Sequence, residues 1–353
     1  MRYPGEFMSH IDTLSEGLAM KIMYGIDVKS GDDPLITLAK SVSNIGDRLV
    51  SPQYIAVIKY CPFLMSVPRW VPLLGPVRRL VEASNEYLQE FREQPMQRLK
   101  ESGMGAEGII PRLLQEAAIG NAKSEAYIRQ VKDMATIVTL GTHNKASADT
   151  TLSSTGTFFL AMANNARPQE IAQREIDMVV GKGHLPTPND RPNLPYVEAI
   201  YQEVLTTLST GLPHMASQSD SYRGHYIPRG TIVMANIWAM THDENVYPDP
   251  YEFKPERFLD KTVTINDILA YGFGRRVCVG RHLADTVLRW TFACVLACFD
   301  IRKETDEKGN EIDIPERYSP GPGVFSHPLP FRCRIIPRHA GVESLVSETP
   351  PPE

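Results

Sequence analysis

With 353 residues, the chain is long enough for one large or two modest domains with a substantial core. Apolar residues make up 42 % of it and charged residues 22 %, and the net charge of −5 is spread over interspersed acids and bases, so nothing in the composition points to a nucleic-acid partner. Five cysteines, at 61, 278, 294, 298 and 333, are odd in number and irregular in spacing, which argues against a disulfide framework and for a reducing compartment.

The start, MRYPGEFMSHIDTLSEG, has neither the basic opening nor the apolar core of a signal peptide. No apolar run reaches the roughly 18–20 residues that cross a bilayer, so the chain as given predicts no anchor and no secretion signal. Residues 7–131 read mostly as helices with loops. Apolar residues recur at helical spacing in FMSHIDTLSEGLAMKIMYGI and again from Pro76 to Lys100. Proline-bearing connectors, CPFLMSVPRWVPLLGP and later RPNLP, punctuate the helices. From Ala126 the helical pattern runs to Asn165, about 40 residues, far beyond the usual soluble helix. Further helices are predicted from near Pro168 to before Gly181, and over 195–208.

Residues 222–240, YRGHYIPRGTIVMANIWAM, switch to short β-branched runs and predict a hairpin turning at Pro228-Arg229-Gly230. Another strand pair is expected to frame Lys308-Gly309-Asn310 and to close at FRCRIIP, 331–337. The proline- and acid-rich end predicts a disordered tail over 339–353. No internal repeat is present. The elements add up to a mainly α fold with small β-sheets (α+β), one domain over 1–338.

The most informative stretch is YGFGRRVCVG, 271–280, which runs straight into the amphipathic RHLADTVLRWTFACVLACF. Gly272, Gly274 and Gly280 let backbone approach something flat or bulky. Arg275 and Arg276 supply cations, and a helix start just after Cys278 favours a thiolate. These are the requirements of an axial thiolate on haem iron. A buried structural cysteine after a glycine turn is the plainer reading of such a pattern taken alone. Cys294 and Cys298, one helical turn apart, read as core.

The spacing resembles the proximal loop of the cytochrome P-450 family, F-x-x-G-x-R-x-C-x-G, with Tyr271 at the phenylalanine position. Three further segments resemble the same family in the expected order. ASADTT, 146–151, sits in the long helix and resembles the distal segment with its acid-alcohol pair, here Asp149 and Thr150; Ser147 replaces the glycine that usually precedes the pair. YVEAIYQEVLTTL, 196–208, resembles the Glu-x-x-Arg helix, with Glu203 as the glutamate and Thr206 where the arginine is expected. YPDPYEFKPERF, 247–258, carries Arg257 as the third member of that ion network. NLPYVEAI, MTHDENVYPDPYEF and GTIVMANIW look most like the microsomal, particularly fungal, members.

The resemblance implies haem b on Cys278, with Phe273, Gly274 and Gly280 around it and Arg276 on a propionate. His214, in LPHMASQSD, is either a second propionate donor or a surface histidine. Asp149 and Thr150 would relay protons, and Glu203 with Arg257 would lock the loop structurally. The implied activity is a haem-thiolate monooxygenase using O2, with NADPH electrons delivered by a flavoprotein reductase, on a small, apolar organic substrate. The family habit is the cytosolic face of the endoplasmic reticulum membrane. The chain resembles a member lacking the N-terminal strands, first helices and anchor: a fragment, a mispredicted gene product or a decayed copy. Two alternatives stay open: a non-catalytic remnant with weak or no haem binding, and a haem-thiolate isomerase or peroxide-using enzyme.

Overall fold

The computed structural model describes residues 7–28, 33–49, 75–101, 107–119, 125–143, 148–207, 211–259, 269–319 and 326–348. The chain, read above as one domain, gathers into two compact units, residues 6–152 and residues 153–353 with 1–5.

The N-terminal unit is built from helices. Helix α1 (Phe7–Tyr24) buries Phe7, Ile11, Met20, Met23 and Tyr24, and stops at Gly25, whose φ of 69° few other residues adopt. Helix α2 (Pro34–Leu49) opens on a proline, and Asp33 caps it by accepting the Leu35 amide at 2.9 Å. Arg98, on α3 (Gly75–Glu101), holds the same buried carboxylate through both terminal nitrogens, at 2.9 and 3.0 Å. Helix α4 (Ile109–Ile119) follows Gly108, where a Cβ would come within 2.6 Å of the Gly25 nitrogen, so only glycine lets the two turns meet. Helix α5 (Glu125–His143) adds Val131 and Ala135 to the shared core of Leu35, Leu38, Phe91, Leu99 and Ile110. The apolar spacing in the sequence thus translates into helix–helix burial throughout this unit.

The periodicity predicts one helix over 126–165. Two are described, α5 ending at His143 and α6 (Ala148–Asn164) beginning after residues that lie outside the described set. From Ser153 onward α6 belongs to the C-terminal unit. There it is joined by α7 (Ala166–Val179) and α8 (Pro195–Thr206), close to the expected bounds. Phe158 of α6 stacks on Phe292, ring centroids 4.1 Å apart and planes 7° from parallel, at the centre of this core.

Four short strands follow: β1 (His214–Met215), β2 (Asp220–Tyr222), β3 (His225–Ile227) and β4 (Ile232–Val233). They are nested, β2 with β3 inside and β1 with β4 outside, both antiparallel. The hairpin therefore turns at Arg223-Gly224, not at 228–230. Both turn residues have positive φ, 48° and 82°, which matches the twist of a two-residue hairpin. Pro228-Arg229-Gly230 makes a separate turn, closed by the Thr231 amide on the Pro228 carbonyl at 3.1 Å, that leads into β4.

After α9 (Ile237–Thr241), helix α10 (Arg281–Cys298) runs directly into β5 (Phe299–Lys303), which pairs with β6 (Cys333–Pro337). Around 308–310 only a single bridge forms, Thr305 to Glu311, so the expected strand pair there belongs instead to 299–303 and 333–337. The Gln169 amide of α7 mimics a neighbouring strand, donating to the Ile301 carbonyl at 2.9 Å and accepting its amide at 2.7 Å. Arg338 grips Asp177 through two bonds, at 2.8 and 3.1 Å, and donates to the Leu296 and Ala297 carbonyls at the end of α10. Residues read as tail are partly helical: α11 (Val342–Glu348) buries Val342. That one apolar anchor is masked by the prolines that follow when composition alone is read. Among the described residues no helix is long and apolar enough to cross a membrane.

Candidate functional site

The Cys278 loop is a chain of tight turns in the C-terminal unit. Leu269–Tyr271 forms one helical turn, Gly272 reverses it at φ 69°, Phe273 is extended, and Gly274 begins a second turn at φ 67°. At both glycines a Cβ would meet nothing within 4 Å, so conformation rather than space demands them. The Cys278 amide donates to the Tyr271 carbonyl at 2.9 Å, and the Ala284 amide to Gly280 at 3.0 Å as α10 starts. A Cβ on Gly280 would stand 3.9 Å from the Cys278 sulfur.

Cys278 is half-buried. Of the other described cysteines, Cys298 and Cys333 are buried and Cys294 is half-buried; burial pushes the Cys294 and Cys333 thiols up to about 12, and raises Cys298 as well, so they stay protonated at neutral pH. Cys61 lies outside the described residues. Around the Cys278 sulfur the surface is apolar and open, with Phe273 49 % and Val279 97 % exposed, and Arg275 and Arg276 exposed beside them. An accessible lone thiol, a glycine-built floor, two uncovered apolar side chains and adjacent guanidinium groups fit a flat, apolar cofactor carrying anionic edges. That donor set fits haem.

The ion network places Glu203 on α8 against Arg257, which sits in the one-turn helix Pro255–Phe258. Glu203 Oε2 lies 3.0 Å from Arg257 Nε, both side chains nearly buried, and Oε1 accepts the Lys254 amide at 2.8 Å. Arg257 is otherwise spent on carbonyls: those of Pro248, Asp249, Glu252 and Lys254 accept from it at 2.6–3.2 Å. Its Nε hydrogen is aimed at Lys254, which leaves Glu203 Oε2 opposite a cation but without a hydrogen-bond donor. Burial accordingly raises the Glu203 pKa against the pull of the Lys254 amide and Arg257. Thr206 turns back on its own helix and donates to the Glu203 carbonyl at 2.7 Å.

Beside this network stands a second one that sequence reasoning missed. The Tyr271 and Tyr201 hydroxyls are 2.9 Å apart, and Tyr201 donates to Asp285 at 2.9 Å. Arg289 covers the Tyr201 ring at 4.1 Å and pairs with Asp285 and Glu198 at 2.7 Å each. Arg191 donates to Asp285 from the other side at 3.1 Å. Burial first, then the neighbouring hydroxyl and carboxylate, pushes the Tyr201 phenol far up. Burial likewise pushes Tyr271 up to about 12. Two signals were available in the sequence: a tyrosine at the loop's phenylalanine position, and the Asp285–Arg289 spacing of four on one helical face.

His214 is exposed on β1, opposite Val233. Asp149 and Thr150 lie in the first turn of α6; Thr150 is half-buried, while the side chain of Asp149 and all of Ser147 fall outside the described residues.

The family model for cytochrome P450 matches residues 17–332. The chain is 34 % identical over 359 residues to the cytochrome P450 monooxygenase claT of Ampulloclitocybe clavipes, covering 99 % of this chain and 70 % of that protein. It is 33 % identical to cytochrome P450 monooxygenase 98 of Postia placenta, over 93 % of this chain and 64 % of that one. To the cytochrome P450 monooxygenase ple1 of Rhodocybe pseudopiperita it is 34 % identical, over 98 % and 66 % respectively. The chain thus spans about two thirds of the length of the curated relatives it matches.

Proposed function

Because this chain belongs to the cytochrome P450 family, we propose that it holds haem b on Cys278 and acts as a haem-thiolate monooxygenase on a small, apolar organic substrate. The observation that carries the proposal is the half-buried Cys278 thiol in a glycine-built loop at the start of α10. When bound, the haem supplies activation of O2 and insertion of one oxygen atom into the substrate, the other leaving as water, and the cysteinate's electron density favours O–O cleavage. The two electrons this balance requires come from NADPH through a flavoprotein reductase. On the family habit we assign the protein to the cytosolic face of the endoplasmic reticulum membrane, with the flavoprotein reductase as its partner there.

The residues divide the remaining work. Cys278 would bind the iron through its sulfur, at the start of α10. Phe273, Gly274 and Gly280 would flank the haem, and Arg276 would neutralise a propionate, with His214 as a second donor. Glu203 and Arg257 fix the segment 248–257 to α8 and so brace the loop's surroundings. We assign proton delivery to Asp149 and Thr150 on their match to the acid-alcohol pair, the carboxylate supplying a proton and the Thr150 hydroxyl passing it on.

The test is an absorption spectrum of the reduced protein under carbon monoxide. The parent should give the Soret shift of a thiolate-ligated haem; Cys278→Ala should abolish it, and Cys294→Ala and Cys298→Ala should keep it. Retention of the shift in Cys278→Ala would sink the assignment.

A further inference from the structure

We infer that the Tyr271 phenol, with Tyr201 and Asp285 behind it, fastens the Cys278 loop to the helical core and so makes these three residues positioning groups for the thiolate. The inference rests on the reading of Cys278 as the axial ligand. Residue 271 is attached twice. Its carbonyl accepts the Cys278 amide at 2.9 Å, and its hydroxyl meets that of Tyr201 at 2.9 Å. Tyr201 spends its own hydrogen on Asp285. Its oxygen is therefore left to accept, and the chain has one direction, from Tyr271 to Tyr201 to the carboxylate.

The far end of this chain does not move easily. Tyr201 is fully buried and Arg289 is 5 % exposed; Asp285 is held by the guanidinium groups of Arg289 and Arg191. Tyr201 belongs to α8 and Asp285 to α10. The loop therefore leaves from an anchor that both helices share and returns, after Cys278, into the first turn of α10 itself. With its entry and its exit referred to one helix, the sulfur between them has a fixed address. A phenylalanine at 271 could keep the backbone bond but not the hydroxyl one. The arrangement also answers the gap at Glu203, where Thr206 offers no donor to Oε2: fastening is supplied on the Tyr201 side of α8 instead.

Tyr271→Phe, Tyr201→Phe and the double variant test this, with Arg338→Lys as a control that loosens the opposite end of α10. Two rates are read: hydrogen exchange of the Cys278 amide in the haem-free chain, and loss of haem from the loaded protein to a scavenger. Each single variant should speed both by about tenfold, the worth of one net hydrogen bond, and the double should do no more than either single because all three break the same link. The ferric Soret band should also shift in the tyrosine variants and not in Arg338→Lys. Additive effects would overturn the proposal. So would tyrosine variants that melt earlier yet keep the parent's exchange and haem-loss rates. If the parent itself never gives a thiolate-type spectrum, the assignment of Cys278 fails, while amide exchange in the haem-free chain still decides whether the tyrosines hold the loop.

Discussion

Thr206 shows what one side chain can withhold. Its hydroxyl closes on the α8 backbone, so the buried Glu203 carboxylate has Arg257 opposite one oxygen and no donor on it. An unfilled acceptor on a buried charge is expensive. Thr206→Arg would supply the donor and a second cation. It should stabilise the protein by about 1–2 kcal/mol, an increase in Tm of about 2–5 °C, and slow haem loss. Because the added cation lowers a pKa that burial has raised, the gain should be full above the parent's raised folded value and fade as pH falls through it. Thermal melts at several pH values measure it, and a variant less stable than the parent at neutral pH would mean that the packing has closed around threonine. The Glu203–Arg257 pair was legible in the sequence because each member sits in a short stretch with distinctive spacing. The Tyr271–Tyr201–Asp285 chain was not legible as a unit: its members are separated by 70 and 84 residues, and a tyrosine at the loop's phenylalanine position does not by itself name its partner.

Helix α8 carries Glu198, Tyr201 and Glu203, and its start depends on a residue from α7. Glu175 accepts the Tyr196 and Val197 amides at 2.9–3.1 Å, serving as the cap that Leu194 cannot be. Burial nevertheless outweighs those bonds and raises the Glu175 pKa above 4.5. The folded state therefore keeps a proton that the unfolded chain releases, and this contribution to stability is full below 4.5 and lost as pH rises through the raised folded value. Glu175→Gln keeps one acceptor oxygen and cannot ionise. The difference in unfolding free energy between parent and variant should therefore move in the variant's favour as pH rises through that window, by less than about 1 kcal/mol given its partial exposure. Urea titrations across the range measure it; a difference that is flat with pH would show the carboxylate to be as well solvated as in the open chain. Helices of this length were readable from period alone. The hairpin was readable too but its turn was not, because Arg223 in a left-handed conformation carries no sequence signature, whereas Pro228-Arg229-Gly230 is a real turn with the stronger turn composition.

Two units with separate cores should not melt as one. Trp238 and Trp290 both belong to residues 153–353, so in a Trp70→Phe background tryptophan fluorescence follows that unit alone while far-ultraviolet circular dichroism follows both. Their denaturation curves should have different midpoints. Haem should raise the fluorescence midpoint more, since Cys278 lies in that unit, by about 2.7 kcal/mol at a hundredfold excess over Kd. Superimposable curves would establish a single cooperative unit instead. The sequence reads as one domain because no linker of distinct character separates Leu152 from Ser153.

Helix α10 is pinned near its first turn by Asp285 and at its last by Arg338, which reaches the Leu296 and Ala297 carbonyls from Asp177. Between those pins the backbone covers about 17 Å at the fixed rise of a helix. Adding or deleting one residue there would turn everything beyond it by about 100° and slide it about 1.5 Å, taking Arg289 off Tyr201 or Arg338 off its carbonyls. Evolution can exchange side chains along this helix, then, but it has little freedom to change its length.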